Sequence, residues 1–112
     1  MKKIYLFCSA GMSTSMLAKN MQGAADQHHL PFKIAAFSSN DIGKIVENDA
    51  PDCMLLGPQV RFLFDGINER YGKKIPVAVI DSGDYGSLNG ERVLKLAILE
   101  MKRHQVDVNA DK

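Results

Sequence analysis

Four short apolar runs constrain the fold of this chain more than any other feature: Ile4-Tyr5-Leu6-Phe7, Ile34-Ala35-Ala36-Phe37, Cys53-Met54-Leu55-Leu56 and Val77-Ala78-Val79-Ile80. They are continuous rather than alternating, the pattern of strands covered on both faces. Between them the period changes to that of a helix. Leu17, Met21, Ala24 and His28 share one stripe, as do Val60, Leu63, Phe64, Ile67 and Tyr71, and as do Val93, Leu94, Ala97, Ile98 and Met101. A shorter helix is expected over Asn40 to Asn48, capped by Ser39 or Asn40, with Ile42, Ile45 and Val46 facing inward and Pro51 just past its end. Parallel neighbours need crossover connections, and those are right-handed. The sequence therefore predicts a single α/β domain over residues 1–104, a four-stranded parallel sheet in the order 2-1-3-4 with helices on both faces. Residues Gln105 to Lys112 are polar and aperiodic, and a frayed tail is expected there.

Composition narrows the function classes. Fourteen Lys and Arg against thirteen Asp and Glu leave a net charge of +1 without long blocks of like charge, so nucleic acid and anionic membrane surfaces are not expected partners. No apolar run approaches the ~20 residues of a membrane span. The apolar start from Met1 to Phe7 is a strand's length and lacks a cleavage signal, so no signal peptide is read. A cytoplasmic monomer with reduced thiols is expected. Cys8 and Cys53 are too few for a disulfide framework, and neither has a second Cys near it in sequence to make a metal-ligand pair. No metal is expected.

The predicted strand order puts the first strand inside the sheet, with the winding reversing beside it, so a ligand should bind at its carboxyl end. That crevice begins at Cys8. The segment Cys8-Ser9-Ala10-Gly11-Met12-Ser13-Thr14-Ser15 leads from the strand to a helix expected to start around Ser13, and nearly all its side chains are small. Such a loop leaves backbone N–H groups uncovered and aims them at one spot, where the helix N-terminus adds roughly half a positive charge. An anion the size of phosphate suits it. The same donors stabilise a thiolate at Cys8, lowering its pKa from the free value of about 8.5. A Cys ending a strand is ordinarily packing, but the ligand-binding edge, Gly11 and the three hydroxyls of residues 13–15 argue for chemistry. Cys53 begins the third strand, at the opposite end of the sheet, and is read as core. Four residues at ~3.3 Å separate the two thiols, beyond the ~7 Å between Cα atoms that a disulfide spans.

A cysteine phosphatase clamps its phosphoryl oxygens with an Arg six residues after the Cys. Here that position is Thr14, and no Lys or Arg lies between Cys8 and Met16. Backbone donors alone would hold the group. Reversible capture on sulfur remains possible without the phosphatase clamp, which points to a phosphoryl carrier. The alternatives are a low-molecular-weight tyrosine-phosphatase-like or arsenate-reductase-like enzyme, disfavoured by Thr14, and a flavodoxin-like nucleotide- or flavin-binding module, disfavoured by the lack of a stacking aromatic in the loop.

The run Cys8 to Ser15, with Gly57-Pro58-Gln59 and with Asp81 and Asp84-Tyr85-Gly86, resembles the IIB component of the bacterial phosphoenolpyruvate-dependent sugar phosphotransferase system, in its lactose/cellobiose branch. The resemblance covers about residues 1–104. It implies that Cys8 receives a phosphoryl group from a histidine of the IIA protein and hands it to a sugar bound in the membrane IIC component, with contact at the inner membrane face through IIC only and with no cofactor. Stand-alone members are mostly of the cellobiose or chitobiose type. The loop Ser82 to Asn89 is less methionine-rich than in the family.

Other residues are expected to support this edge. Ser13, Thr14 and Ser15 cap the helix or donate to the phosphate. Gln59 reaches the phosphate or simply turns the chain. Arg61 pairs with acidic groups of a partner or is a solvated helix residue. Carboxylates would repel an anion, so Asp81 and Asp84 are read as turn and helix-cap residues, Asp81 also limiting stray anions. Tyr85 closes the crevice, contacts a partner or is a half-buried loop tyrosine, and Met12 is an apolar docking contact. His28 and His29 at the end of the first helix, and His104 in the last turn of the fourth, do not look catalytic.

Overall fold

The computed structural model describes residues 1–9 and 11–110, with backbone alone for 11–13 and 106–110. Four strands, β1 (Lys2–Cys8), β2 (Phe32–Ser38), β3 (Cys53–Leu56) and β4 (Val77–Val79), alternate with α1 (Gly11–Gln27), α2 (Ile42–Asn48), α3 (Phe64–Tyr71), α4 (Ser82–Gly86) and α5 (Gly90–Ala110). The sheet is parallel throughout, in the order β2-β1-β3-β4. Fold class and strand order are as the sequence predicts.

Side chains alternate across a strand, and β1 shows the result. Ile4, Leu6 and Cys8 face one layer, where Leu17 and Met21 of α1 and Val93, Leu94 and Ala97 of α5 cover them. Tyr5 and Phe7 face the other, against Ile42 of α2, Val60 and the half-buried Leu63, Phe64 and Ile67. All five are essentially inaccessible to water. β2 is an edge strand, and of its residues only Ile34 is buried, the others being half-buried or exposed. Gln22 of α1 covers part of that edge, accepting from the Ile34 N–H and donating to the Phe32 carbonyl, both at 2.9 Å, as a neighbouring strand would.

Helix ends depart most from expectation. α1 begins at Gly11, so Ser13, Thr14 and Ser15 lie inside its first turns rather than before it. Ahead of α2, residues Ser39–Asp41 form a 3-10 turn capped by Ser38, whose hydroxyl accepts from the Asn40 N–H. Neither Ser39 nor Asn40 is that cap, because the 3-10 turn consumes the residues that would have opened an α-helix. A second 3-10 helix, Pro58–Leu63, takes half of the stripe read as the third helix. Pro58 at its start supplies the fixed φ and needs no amide donor there. The α5 backbone continues to Ala110, through the segment expected to fray. No Gly or Pro follows Gly90 to stop it, and propagating an existing helix is far easier than nucleating one. His104 consequently lies inside α5, with its Nε2 2.7 Å from the Gly72 carbonyl oxygen.

The α1 and α5 backbones touch at Gly90, where a Cβ would stand 2.5 Å from the carbonyl carbon of Asn20 and 2.7 Å from the Met21 nitrogen. Backbone cannot give way as a flexible side chain can. Gly90→Ala should cost about 1–3 kcal/mol, read as a lower urea midpoint at unchanged m; an unchanged midpoint would show that the two helices can part freely.

Beneath the other face, Asp49 accepts hydrogen bonds from both the Tyr5 hydroxyl and Lys3. Burial, and then the bond to Asp49, push the Tyr5 phenol up to about 12. The folded protein therefore holds this proton more tightly than the unfolded chain, whose tyrosines titrate near ~10. Stability from this group is intact below pH ~10 and is lost as pH rises toward about 12. Urea titrations across that window should fall more steeply for wild type than for Tyr5→Phe, and equal slopes would reject this account.

Candidate functional site

Parallel strands all point their carboxyl ends to one edge, and the connections leaving β1, β3 and β4 meet there. Cys8 closes β1, pairing in register with Ser38, and its even place in the strand turns it toward α1 and α5. Its side chain is 2% exposed. Gly57 follows β3 and its N–H bonds the Phe7 carbonyl at 2.9 Å. A Cβ on Gly57 would lie 2.9 Å from the Cys8 sulfur, so only glycine lets the chain pass this close. Gln59, two residues on, brings its Oε1 to 3.3 Å from Sγ, and the thiol donates to it.

The third contributor comes from beyond β4. Asp81 accepts from the Gly83 and Asp84 N–H groups at 3.0 and 3.2 Å, opening α4. The stretch read as a loop is therefore a short capped helix, too brief to show a period in sequence. α4 carries Tyr85 inward, where it is buried rather than half-exposed. Its hydroxyl lies 3.6 Å from the Cys8 sulfur and 2.9 Å from Thr14 Oγ1. Thr14 itself is 1% exposed. Burial above all, and the neighbouring Cys8, raise the Tyr85 pKa, with the Thr14 bond opposing them.

The structure thus gathers Cys8, Thr14, Gln59 and Tyr85. Ser9 and Ser15 are exposed at the same end, Ala10 lies outside the described residues, and of Gly11, Met12 and Ser13 only the helical backbone is described. Arg61 is not drawn to the thiol. It lines a neighbouring open groove of about 680 Å³ with Asp81, Asp84, Arg92, Lys95 and the exposed Leu99. Asp84 is paired with Arg92 at 2.9 Å. Neither this pairing nor the Thr14–Tyr85 contact was legible in the sequence, since the second joins residues 71 apart; the only local hint was an Asp placed to cap a short turn.

Cys53 differs from Cys8 in its place on the sheet and in its surroundings. It pairs with Ile4 at the far end of β1, is fully buried, and burial pushes its thiol up to about 12. Both residues remain thiols. Alkylation of the native protein by iodoacetamide at pH 8 should add one group, absent in Cys8→Ser, whereas the unfolded chain takes two. A native adduct on Cys53 would contradict this geometry.

These features define a parallel α/β domain with a thiol at the carboxyl end of an inner strand, directly before a helix. Residues 3–96 match the family model described as the lactose/cellobiose-specific IIB subunit of the phosphotransferase system. The chain belongs to that family: it is a IIB component of a sugar phosphotransferase system. It is 39% identical over 100 residues to the galactose-specific EIIB component of Lactococcus lactis subsp. cremoris, covering 86% of this chain and 93% of the relative. Identity and coverage are the same for the cellobiose-specific EIIB component of Lactococcus lactis subsp. lactis. Among solved structures, the cellobiose-specific IIB component of Borrelia burgdorferi superposes with a TM-score of 0.73 at 36% identity, over 92% of this chain and 94% of that one. Among the described residues, no helix is long and apolar enough to cross a membrane.

Proposed function

We propose that Cys8 is the phosphoryl-carrying residue, taking the group from a phosphohistidine of a IIA protein and passing it to a sugar held by a membrane IIC component. The observation that carries this reading is the position of its thiol, at the carboxyl end of an inner strand and three residues before α1. The first residues of a helix leave amide N–H groups without intrahelical partners, and the dipole adds positive potential at that end. That potential favours thiolate over thiol and holds the phosphoryl oxygens in place of the absent Arg.

The thiolate attacks phosphorus, the S–P bond forms as the N–P bond breaks, and the imidazole keeps the electron pair. In the second transfer a sugar hydroxyl attacks, its proton passing to a base on the partner, and the thiolate leaves. The alternative phosphatase reading is weakened by Thr14, which stands at the position where that chemistry needs an Arg. The sugar is proposed to be a β-glucoside of the cellobiose or chitobiose kind. Equal identity to galactose- and cellobiose-specific relatives fits a sugar pocket that lies in the partner. The loop residues Ser9 to Ser15 are proposed to line the phosphoryl site, Arg61 and Met12 to meet a partner, and the protein to work as a cytoplasmic monomer.

Incubation with phosphoenolpyruvate, the general phosphotransfer proteins and a IIA protein should raise the intact mass by one phosphoryl group. Cys8→Ser should stay unmodified. An unlabelled wild type, or equal labelling of the variant, would overturn the assignment.

A further inference from the structure

Tyr85 has no assigned part in this chemistry, yet its hydroxyl lies within reach of the sulfur. We infer that the Tyr85 hydroxyl, held by Thr14, is a catalytic hydrogen-bond donor that stabilises the Cys8 thiolate as it forms and as it leaves phosphorus. The inference deepens the carrier reading and rests on it for its role in transfer; the interaction with sulfur is testable without any partner.

Two contacts compete for the phenolic proton. With Cys8 as a thiol, S–H donates to Gln59 Oε1 at 3.3 Å, and neutral sulfur is a weak acceptor. The Tyr85 proton then favours Thr14 Oγ1, at 2.9 Å a normal O–H···O length. Once the thiol proton has gone to solvent, sulfur becomes a charged acceptor that can no longer donate to Gln59. Bonds to charged groups are roughly twice as strong as neutral ones. The phenolic O–H turns to sulfur across 3.6 Å, and Thr14 donates its own hydroxyl proton to the phenol oxygen left behind. Neither Tyr85 nor Thr14 has to move a heavy atom for this exchange. Gln59, exposed on its far side, can rotate its amide to present N–H instead of oxygen.

A donor here must keep its own proton while the sulfur loses one. Burial does this, raising the Tyr85 pKa. Other charged groups at this edge are otherwise engaged among the described residues. Asp81 holds the amides of α4, Asp84 pairs with Arg92, and Arg61 and Lys95 face the adjoining groove. Helices α1 and α5 bring Thr14, Leu17, Val93 and Leu94 to this layer, none of them ionisable. A hydroxyl is thus the polar side chain that α4 contributes to the sulfur, and it can support charge there without the fixed positive charge of an Arg.

Thiol–disulfide exchange of the full chain with bis(2-hydroxyethyl) disulfide, followed against pH, tests this. Losing the donor should raise the Cys8 pKa by about one unit in Tyr85→Phe. Nucleophilicity rises with thiol pKa at a Brønsted slope of about 0.4–0.5, so the two rate profiles should cross, the variant reacting about threefold slower below the wild-type pKa and about threefold faster well above the variant's. Thr14→Val should move in the same direction by less. A purely structural role for Tyr85 would change the rate by one factor at all pH values, or not at all, and either result overturns the inference. Unlabelled Cys8 in the phosphoenolpyruvate assay together with crossing profiles would instead reject the carrier reading and leave the hydrogen bond standing.

Discussion

Burial of β1 on both faces is the constraint on which the rest of the structure depends. A strand covered on one side could shift by one residue only by exchanging core for solvent. A strand covered on both must satisfy two layers at once. Ile4, Leu6 and Cys8 therefore belong to the α1 and α5 layer, and Tyr5 and Phe7 to the α2 and α3 layer. Pairing of β1 with β2 and β3 on its two flanks fixes the register. The thiol lies where it does because it is the last residue of that alternation before the chain turns into α1.

A parallel sheet then supplies the site almost as a by-product. Every strand delivers its outgoing connection to the same edge, so residues from after β1, β3 and β4 converge on one sulfur without being near one another in sequence. Gly57 allows the close pass, Gln59 accepts a hydrogen bond from the thiol, and Asp81 starts the short helix that swings Tyr85 inward. Among the described residues, the charged side chains at this edge are engaged in caps and pairs or line the adjoining groove. Paired or capping carboxylates cannot repel an incoming anion as free ones would, and neutral donors can release a phosphoryl group that a fixed Arg would hold. The arrangement suits a group that is to be passed on rather than hydrolysed.

Much of the fold was legible because buried strands and amphipathic helices leave strong periodic signals. Each apolar run became a strand, with β1 and β2 extending a residue or two further at each end and β4 stopping at Val79, one residue short, and the most economical order for a parallel sheet is the one observed. Helix ends were less legible. The 3-10 turns at Ser39–Asp41 and Pro58–Leu63 and the short helix at Ser82–Gly86 span too few residues for a period to show, and local capping by Ser38 and Asp81 decides them. The α5 backbone runs on to Ala110 for a related reason: polar composition says nothing against extending a helix already nucleated.

By itself the sequence determined the class of fold and which cysteine ends the inner strand, because each follows from periodicity and from the position of a residue along its own strand. It also set the absence of Arg six residues beyond Cys8, which is a matter of spacing alone. The tertiary structure alone decided what touches the sulfur. Thr14 and Tyr85 meet across 71 positions, and Cys8 and Gln59 across 51, through the packing of α4 against α1 and the turn after β3. Such contacts depend on the angle and distance between packed elements, which no local pattern of residues encodes.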